Sequence, residues 1–352
     1  MANEYARLLI DLVANTWQFT GEMQKATGSI NRIHDSMKSF AKTMMSGVAA
    51  YQMLRFGKMS VQAFSDFDSA ISQSAAVMTD VNGGMRAEME KTAITLSKTT
   101  ATSATDLGKA YYYLASAGLD VKRSIAALPV VEEFAAAGMF DMAKSTELLM
   151  DSLSALGMKS EDAQENMKNM ARISDVLVKA NTLANASVEQ FSAALTNKFA
   201  ASLRMLNKDV EEGVAVLVAF AEQGLKGEAA GVAGSIVLRD LEKAANMNAA
   251  AWQRMGLSVY DSSGKMLRIS DIIKQLEVKF GGMSDQQKKA TATLLGFQDK
   301  SFGFIKMLIG MSGSIEDFEA KLDKAGGTTH RVASKQMAAF SMEMKNLKNQ
   351  AM

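Results

Sequence analysis

The stretch Gly227-Glu-Ala-Ala-Gly-Val-Ala-Gly-Ser235 comes closest to a phosphate-binding loop. Such a loop needs backbone donors in a tight turn after a strand, and usually a following lysine. No lysine follows the last glycine here, the spacing is not GxGxxG, and a helical pattern precedes the segment. The stretch therefore reads as a helix start. Its stripe of small residues, Gly227, Gly231 and Gly234, would let another backbone come close. Two histidines, His34 and His330, stand 296 positions apart and neither belongs to an HExxH-type pairing. With no cysteine in the chain, disulfides, thiol nucleophiles and thiolate metal sites are excluded. The acid pairs Glu132-Glu133 and Glu211-Glu212 fall in helical patterns, where neighbours point in different directions. They read as solvated faces, not as paired catalytic carboxylates. Tyr111-Tyr112-Tyr113 cannot form one stacking face on a helix, because successive residues diverge by ~100°. They read as core packing with polar tips. The expectation is a protein that is not an enzyme, with no catalytic residue, no cofactor and no metal site.

Composition points to the elements that carry these residues. The chain has 352 residues, 48% hydrophobic and 22% charged, enough to bury a sizeable core. Basic and acidic residues nearly balance at a formal +1 and are intermixed, so no specific nucleic-acid site is expected. A single proline argues against a loop-rich or all-β protein. The N-terminus carries Glu4 and Asp11 where a secretion signal would be basic and then apolar. The longest apolar runs, Gly213 to Ala221 and Phe302 to Ile309, fall short of the ~20 residues that cross a bilayer. A chain made and held soluble in the cytoplasm is expected, with no membrane contact by this segment.

Alanine, leucine, lysine, glutamate, glutamine and an unusual 27 methionines predict helices throughout. Helix ends are marked by a glycine followed by an apolar residue: Gly118-Leu119, Gly138-Met139, Gly157-Met158, Gly224-Leu225 and Gly256-Leu257. Each predicts a Schellman ending with glycine in the left-handed conformation. Helix starts are marked by Ser103 to Asp106, Ser187 to Gln190, Ser284 to Gln287 and Ser314 to Asp317, all with capping-box spacing, and by Ser160 before Glu161 and Asp162. Pro129 predicts a kink or restart. Leu257 to Ile269 holds a β-branched run, a turn cluster with Gly264 and a second apolar run, and predicts a small β-hairpin. Leu8 to Val13 alternates like a short strand.

Phe19, Met23, Ala26, Ile30, Ile33, Met37, Phe40 and Met44 step by alternating fours and threes, a heptad seam. Met23, Ile30, Met37 and Met44 take one apolar register and Phe19, Ala26, Ile33 and Phe40 the other. Beside the seam only Glu22 and His34 are ionisable, so charge does little to choose a partner. A lone helix in water cannot hide such a seam, so it must pack either on the chain's own core or, as self-association, on another copy. The expected organisation is residues 1–80 as a short strand and a long coiled-coil-like helix. Residues 81–327 follow as a compact multi-helix core with the hairpin near 257–269. After the Gly326-Gly327-Thr328-Thr329 break, 328–352 begin a further helix, as in the front portion of something longer. The fold class is all-α.

The succession of these features resembles the N-terminal region of phage tail tape measure proteins. The residues that carry the resemblance are Phe67-Asp68-Ser69-Ala70 at the end of the leading helix and YYYLASAGLD from Tyr111 to Asp120. Ala126-Ala-Leu-Pro-Val-Val, the stretch from Phe134 to Met158, Gly231 to Arg239, and the Gly256-to-Lys265 segment complete it. The resemblance is strongest from about Phe67 to Gly313. It implies a structural protein of a phage or prophage tail that scaffolds tube assembly, sets tube length and leaves before DNA passes. The partners it implies are other copies of the chain, the tail tube protein, tail assembly chaperones and tail tip proteins. Its implied location is the virion tail, and the host cytoplasm during assembly. The long ruler and membrane-interacting segments that such proteins usually carry are absent from these 352 residues. A membrane-perturbing or other helical interaction protein is the alternative.

Overall fold

A computed structural model describes residues 47–79 and 81–350, with side chains described over 62–79 and 81–339. The Phe19-to-Met44 seam, His34 and the Leu8-to-Val13 segment lie outside the described residues. The chain divides into two compact units, Met1–Ser65 and Asp66–Met352. The second unit holds the core.

The elements are helices: α1 (Gly47–Val77), α2 (Gly83–Ser97), α3 (Ala104–Ser116), α4 (Val121–Gly138), α5 (Met142–Ala155) and α6 (Ala163–Asn181). Next come α7 (Val188–Ala194), a π-helical turn (Leu195–Phe199), α8 (Ala200–Met205), α9 (Val210–Glu222), α10 (Gly227–Met247) and α11 (Ala249–Arg254). The last five are α12 (Ile269–Phe280), α13 (Asp285–Leu295), α14 (Asp299–Leu308), α15 (Ser312–Leu322) and α16 (Thr328–Gln350). All-α is therefore the class of the described residues.

The starts follow local chemistry. Ser103 accepts from the Asp106 N–H, and Ser187 and Ser284 form reciprocal capping boxes with Gln190 and Gln287. Asp120, Asp141 and Asp162 cap α4, α5 and α6 in the same way, so Asp162, not Ser160, is the cap of α6. Ser314 caps nothing. Helix α15 begins at Ser312, whose backbone N–H and hydroxyl both donate to the Glu277 carboxylate of α12. Pro129 lies inside α4 without a restart: the helix runs on between buried Leu128 and Val131, so tertiary packing outweighs the lost N–H.

Helix α4 packs on α5, α6 and α16. Leu128, Val131 and Phe134 of α4, and Met170, Ile173 and Leu177 of α6, are fully buried. Helix α9 is buried at every position from Val210 to Ala221 and packs on α6, α10, α14 and α15. A helix apolar all round is the centre of a bundle, so the longest apolar run of the sequence is core. No helix among the described residues is long and apolar enough to cross a membrane. At the far end Trp252 of α11 is buried, donates its indole N–H to the Leu295 carbonyl at 3.0 Å and meets Phe297 edge-on.

The expected hairpin at 257–269 is not there. No strand occurs among the described residues, and the segment keeps one antiparallel bridge, Tyr260 to Met266. Two backbone bonds pair its arms, from the Leu267 N–H to the Val259 carbonyl and from the Asp261 N–H to the Lys265 carbonyl, both at 2.9 Å, and further polar backbone groups go to side chains. Asp261 accepts the N–H groups of Ser263 and Lys265. Lys208 donates to the carbonyls of Met266 and Leu267, at 3.2 and 2.6 Å. The Ile269 N–H donates to Glu212 at 2.7 Å. With the ladder groups taken and α12 starting at Ile269, no strand can lengthen.

Candidate functional site

Four of the predicted C-cap glycines have positive φ: Gly118 (81°), Gly157 (68°), Gly224 (83°) and Gly256 (68°). After each, the next residue's N–H returns to the helix: Leu119 to Leu114, Met158 to Leu153, Leu225 to Phe220 and Leu257 to Trp252. Gly138 differs. It is the last helical residue, and Met139 takes the left-handed conformation at φ 57°. Glycine is required at 138 for room instead, because the Phe140 ring lies 2.1 Å from where a Cβ would stand.

The small-residue stripe of α10 does bring a backbone close, through one of its three members, while a second meets a side-chain ring. A Cβ on Gly231 would stand 2.0 Å from the Ala194 carbonyl oxygen, and one on Gly234 would stand 2.6 Å from the Phe199 ring. Gly227 begins the helix at φ 61° with open space around it. The element facing the stripe is α7 with its π turn, which bends at Asn197 and at Lys198, a non-glycine residue at φ 69°. A Ser202–Ser235 hydrogen bond of 2.8 Å fastens α8 to α10 across the same contact.

The acid pairs are not solvated faces. Glu132, Glu211 and Glu212 are 1%, 7% and 6% exposed. Glu132 accepts from the Thr102 hydroxyl at 3.2 Å, and burial raises its carboxyl above the ordinary range. Glu211 takes a two-pronged bond from Arg172 of α6, at 2.7 and 2.5 Å. That bond holds the Arg172 guanidinium above its usual value. Glu212 pairs with buried Lys208 at 3.0 Å. A buried charge needs such a partner; Glu211 ties α9 to α6, and Glu212 also accepts the Ile269 N–H at the start of α12. Glu133 meets His330 of α16 at 2.7 Å. On α6, Asp175 accepts the N–H groups of Gly327 and Thr329, at 2.8 and 2.7 Å, and so caps α16 across the fold.

Of the tyrosines, Tyr111 is in the core and donates its hydroxyl to the Met89 carbonyl at 3.2 Å. Tyr112 and Tyr113 depart from the expectation: they are 43% and 38% exposed and meet edge to face. Between α10 and the turn that joins α13 to α14 a hollow of about 200 Å³ is lined by Asp240, Lys243, Met247, Asn248 and Gln298. Its Asp240 carboxylate accepts from Arg239 at 2.9 Å. Among the described residues, no group of three or more histidines or acids is placed to hold a metal ion.

The polar side chains that sequence spacing singled out thus meet one another or the backbone, and their shared task is holding helices together. The class that the fold defines is a multi-helix, all-α core. Residues 90–296 match the family described as phage-related minor tail protein, and the chain belongs to that family. It is 25% identical over 345 residues to the tape measure protein of Pneumococcus phage Dp-1, covering 94% of this chain and 29% of that protein. It is 26% identical over 316 residues to the probable tape measure protein of Escherichia phage P2, covering 87% of this chain and 38% of that protein. The chain therefore spans about a third of the length of these curated relatives. No solved structure matches.

Proposed function

We propose that this chain is the N-terminal helical core of a tape measure protein, a structural and non-enzymatic component that scaffolds tail tube assembly. The observation that carries this reading is the similarity to two proteins so named, along 94% and 87% of the chain. On this reading its partners are the tube protein, tail assembly chaperones, tip proteins and other copies of itself, the last through the Phe19-to-Met44 seam. It assembles in the host cytoplasm and ends in the virion tail.

Within that role the segment is a folded core and not the ruler. Drawn out as one helix, 352 residues would reach about 530 Å, yet the left-handed turns after α3, α5, α9 and α11 fold the chain back on itself. Deleting residues 141–157, which removes α5, is expected to abolish tail assembly, read by electron microscopy of lysates. Viable particles with proportionally shorter tails would overturn the core reading. Intact tails in particles that lack the whole chain would overturn the tail reading itself.

A further inference from the structure

We infer that α16 is a latch: it leaves the core as one body about a Gly326–Gly327 joint while α2 to α15 stay packed. This goes beyond the tail reading and stands without it.

Three observations carry it. Over the part of α16 whose side chains are described, the apolar hold is small. Over residues 328–339 Ala333 is the one fully buried apolar side chain, with Val332 and Met337 partly buried. Helix α6 beneath it buries Met170, Ile173, Val176 and Leu177 in the core. The hold is instead polar and directional. Both oxygens of Asp175 cap the first turn, Ser174 meets the Thr329 hydroxyl at 3.2 Å, His330 meets Glu133, and Gln336 donates to the Ala137 carbonyl at 3.3 Å. Water can replace the bonds to Asp175 and Glu133, which are only half-buried, whereas Ser174 and Thr329 are buried. The joint has room to turn once the Asp175 bond to the Gly327 N–H is released. Gly327 stands at φ 73°, and a Cβ on either glycine would meet nothing within 4 Å. The residues before it are fixed by buried Leu322 and Ala325. An element held by few apolar contacts and by hydratable bonds opens at lower cost than the body it covers. Opening exposes the carboxylates of Asp175 and Glu133 on the vacated face of α4 and α6.

Hydrogen exchange of the full chain, read by mass spectrometry, tests this. In the unaltered protein the amides of 328–339 should be protected, but less than those of α4 and α6. Asp175→Ala removes the cap and should speed their exchange on the order of tenfold, with α4 and α6 unchanged. His330→Ala alters only an exposed side chain and should give a smaller increase confined to α16, so the inference stays testable if Asp175→Ala fails to fold. Exchange of α16 in step with α4 and α6, absence of protection in the unaltered protein, or no response to either substitution would each overturn it.

Discussion

Two helix contacts in this molecule are built in opposite ways. Where α4 meets α6, large side chains fill the gap: Leu128, Val131 and Phe134 on one side, Met170, Ile173 and Leu177 on the other. Where α10 meets α7, side chains are removed. Gly231 and Gly234 leave nothing between the helix and the Ala194 carbonyl or the Phe199 ring. The first contact gains by burying apolar area, and its neighbours can relax around a change of shape. The second gains by close approach, and a carbonyl oxygen cannot move aside without moving its helix. It also carries strain at the bend, where Lys198 stands at φ 69° without being glycine. The lesson is that one methyl group has a different weight in each place.

The largest effects test this directly. Phe134→Ala should cost about 3–5 kcal/mol in chemical denaturation, through lost burial and the cavity left behind. Gly231→Ala adds a single carbon yet should cost about 3 kcal/mol, at the upper end for overpacking. A loss below about 1 kcal/mol for Gly231→Ala would show that α10 can shift, and the contrast would collapse. A smaller effect of opposite sign is expected at the bend. Lys198→Gly should raise stability by about 1 kcal/mol, because glycine takes positive φ without a clashing Cβ. A loss of stability there would mean that the bend carries no strain.

The finest test is of pH dependence on the α4 side. Burial raises the Glu132 carboxyl above its ordinary value, with hydroxyl bonds from Thr102 and Thr100 opposing that rise. The folded chain therefore holds this proton more tightly than the unfolded chain does. Stability falls as pH climbs from the ordinary glutamate value through the raised one. Glu132→Gln should stabilise the protein at neutral pH, with the gain shrinking toward about pH 4. A gain that is the same at both pH values would assign the effect to packing instead of charge.

Local chemistry explains which parts of this fold are legible in the sequence. The capping boxes at Ser187 and Ser284 close over three residues, so spacing alone reveals them. The turns at Gly118, Gly157, Gly224 and Gly256 are equally local. At Gly138 the same local cue misplaces the left-handed residue by one, since the Phe140 ring needs the space over the glycine. The 257–269 segment has a strand's residue pattern. What cancels the strand is Lys208 and Glu212 arriving from about 58 residues upstream to take its backbone groups. Glu211 and Glu133 look solvated in sequence because their partners are distant: Arg172 stands 39 positions from Glu211, and His330 stands 197 positions from Glu133. Family membership was legible because the order of many weak features carries it, from the tyrosine run to the Gly231 stretch.

The Asp175 cap of α16 also orders events in time. Contacts between α2 and α3, α3 and α5, or α4 and α6 join neighbours in sequence and form early, since they close short loops. The bond from Thr329 to Asp175 spans 154 residues. During synthesis the helices from α4 to α15 leave the ribosome, and can pack, before residue 327 appears. Until then Asp175 faces water with no N–H to accept. The core can thus be assembled first and its cap set last, so a nascent chain that has left the exit tunnel as far as Ala325, with Gly327 still inside, should hold a packed body that lacks only its clasp.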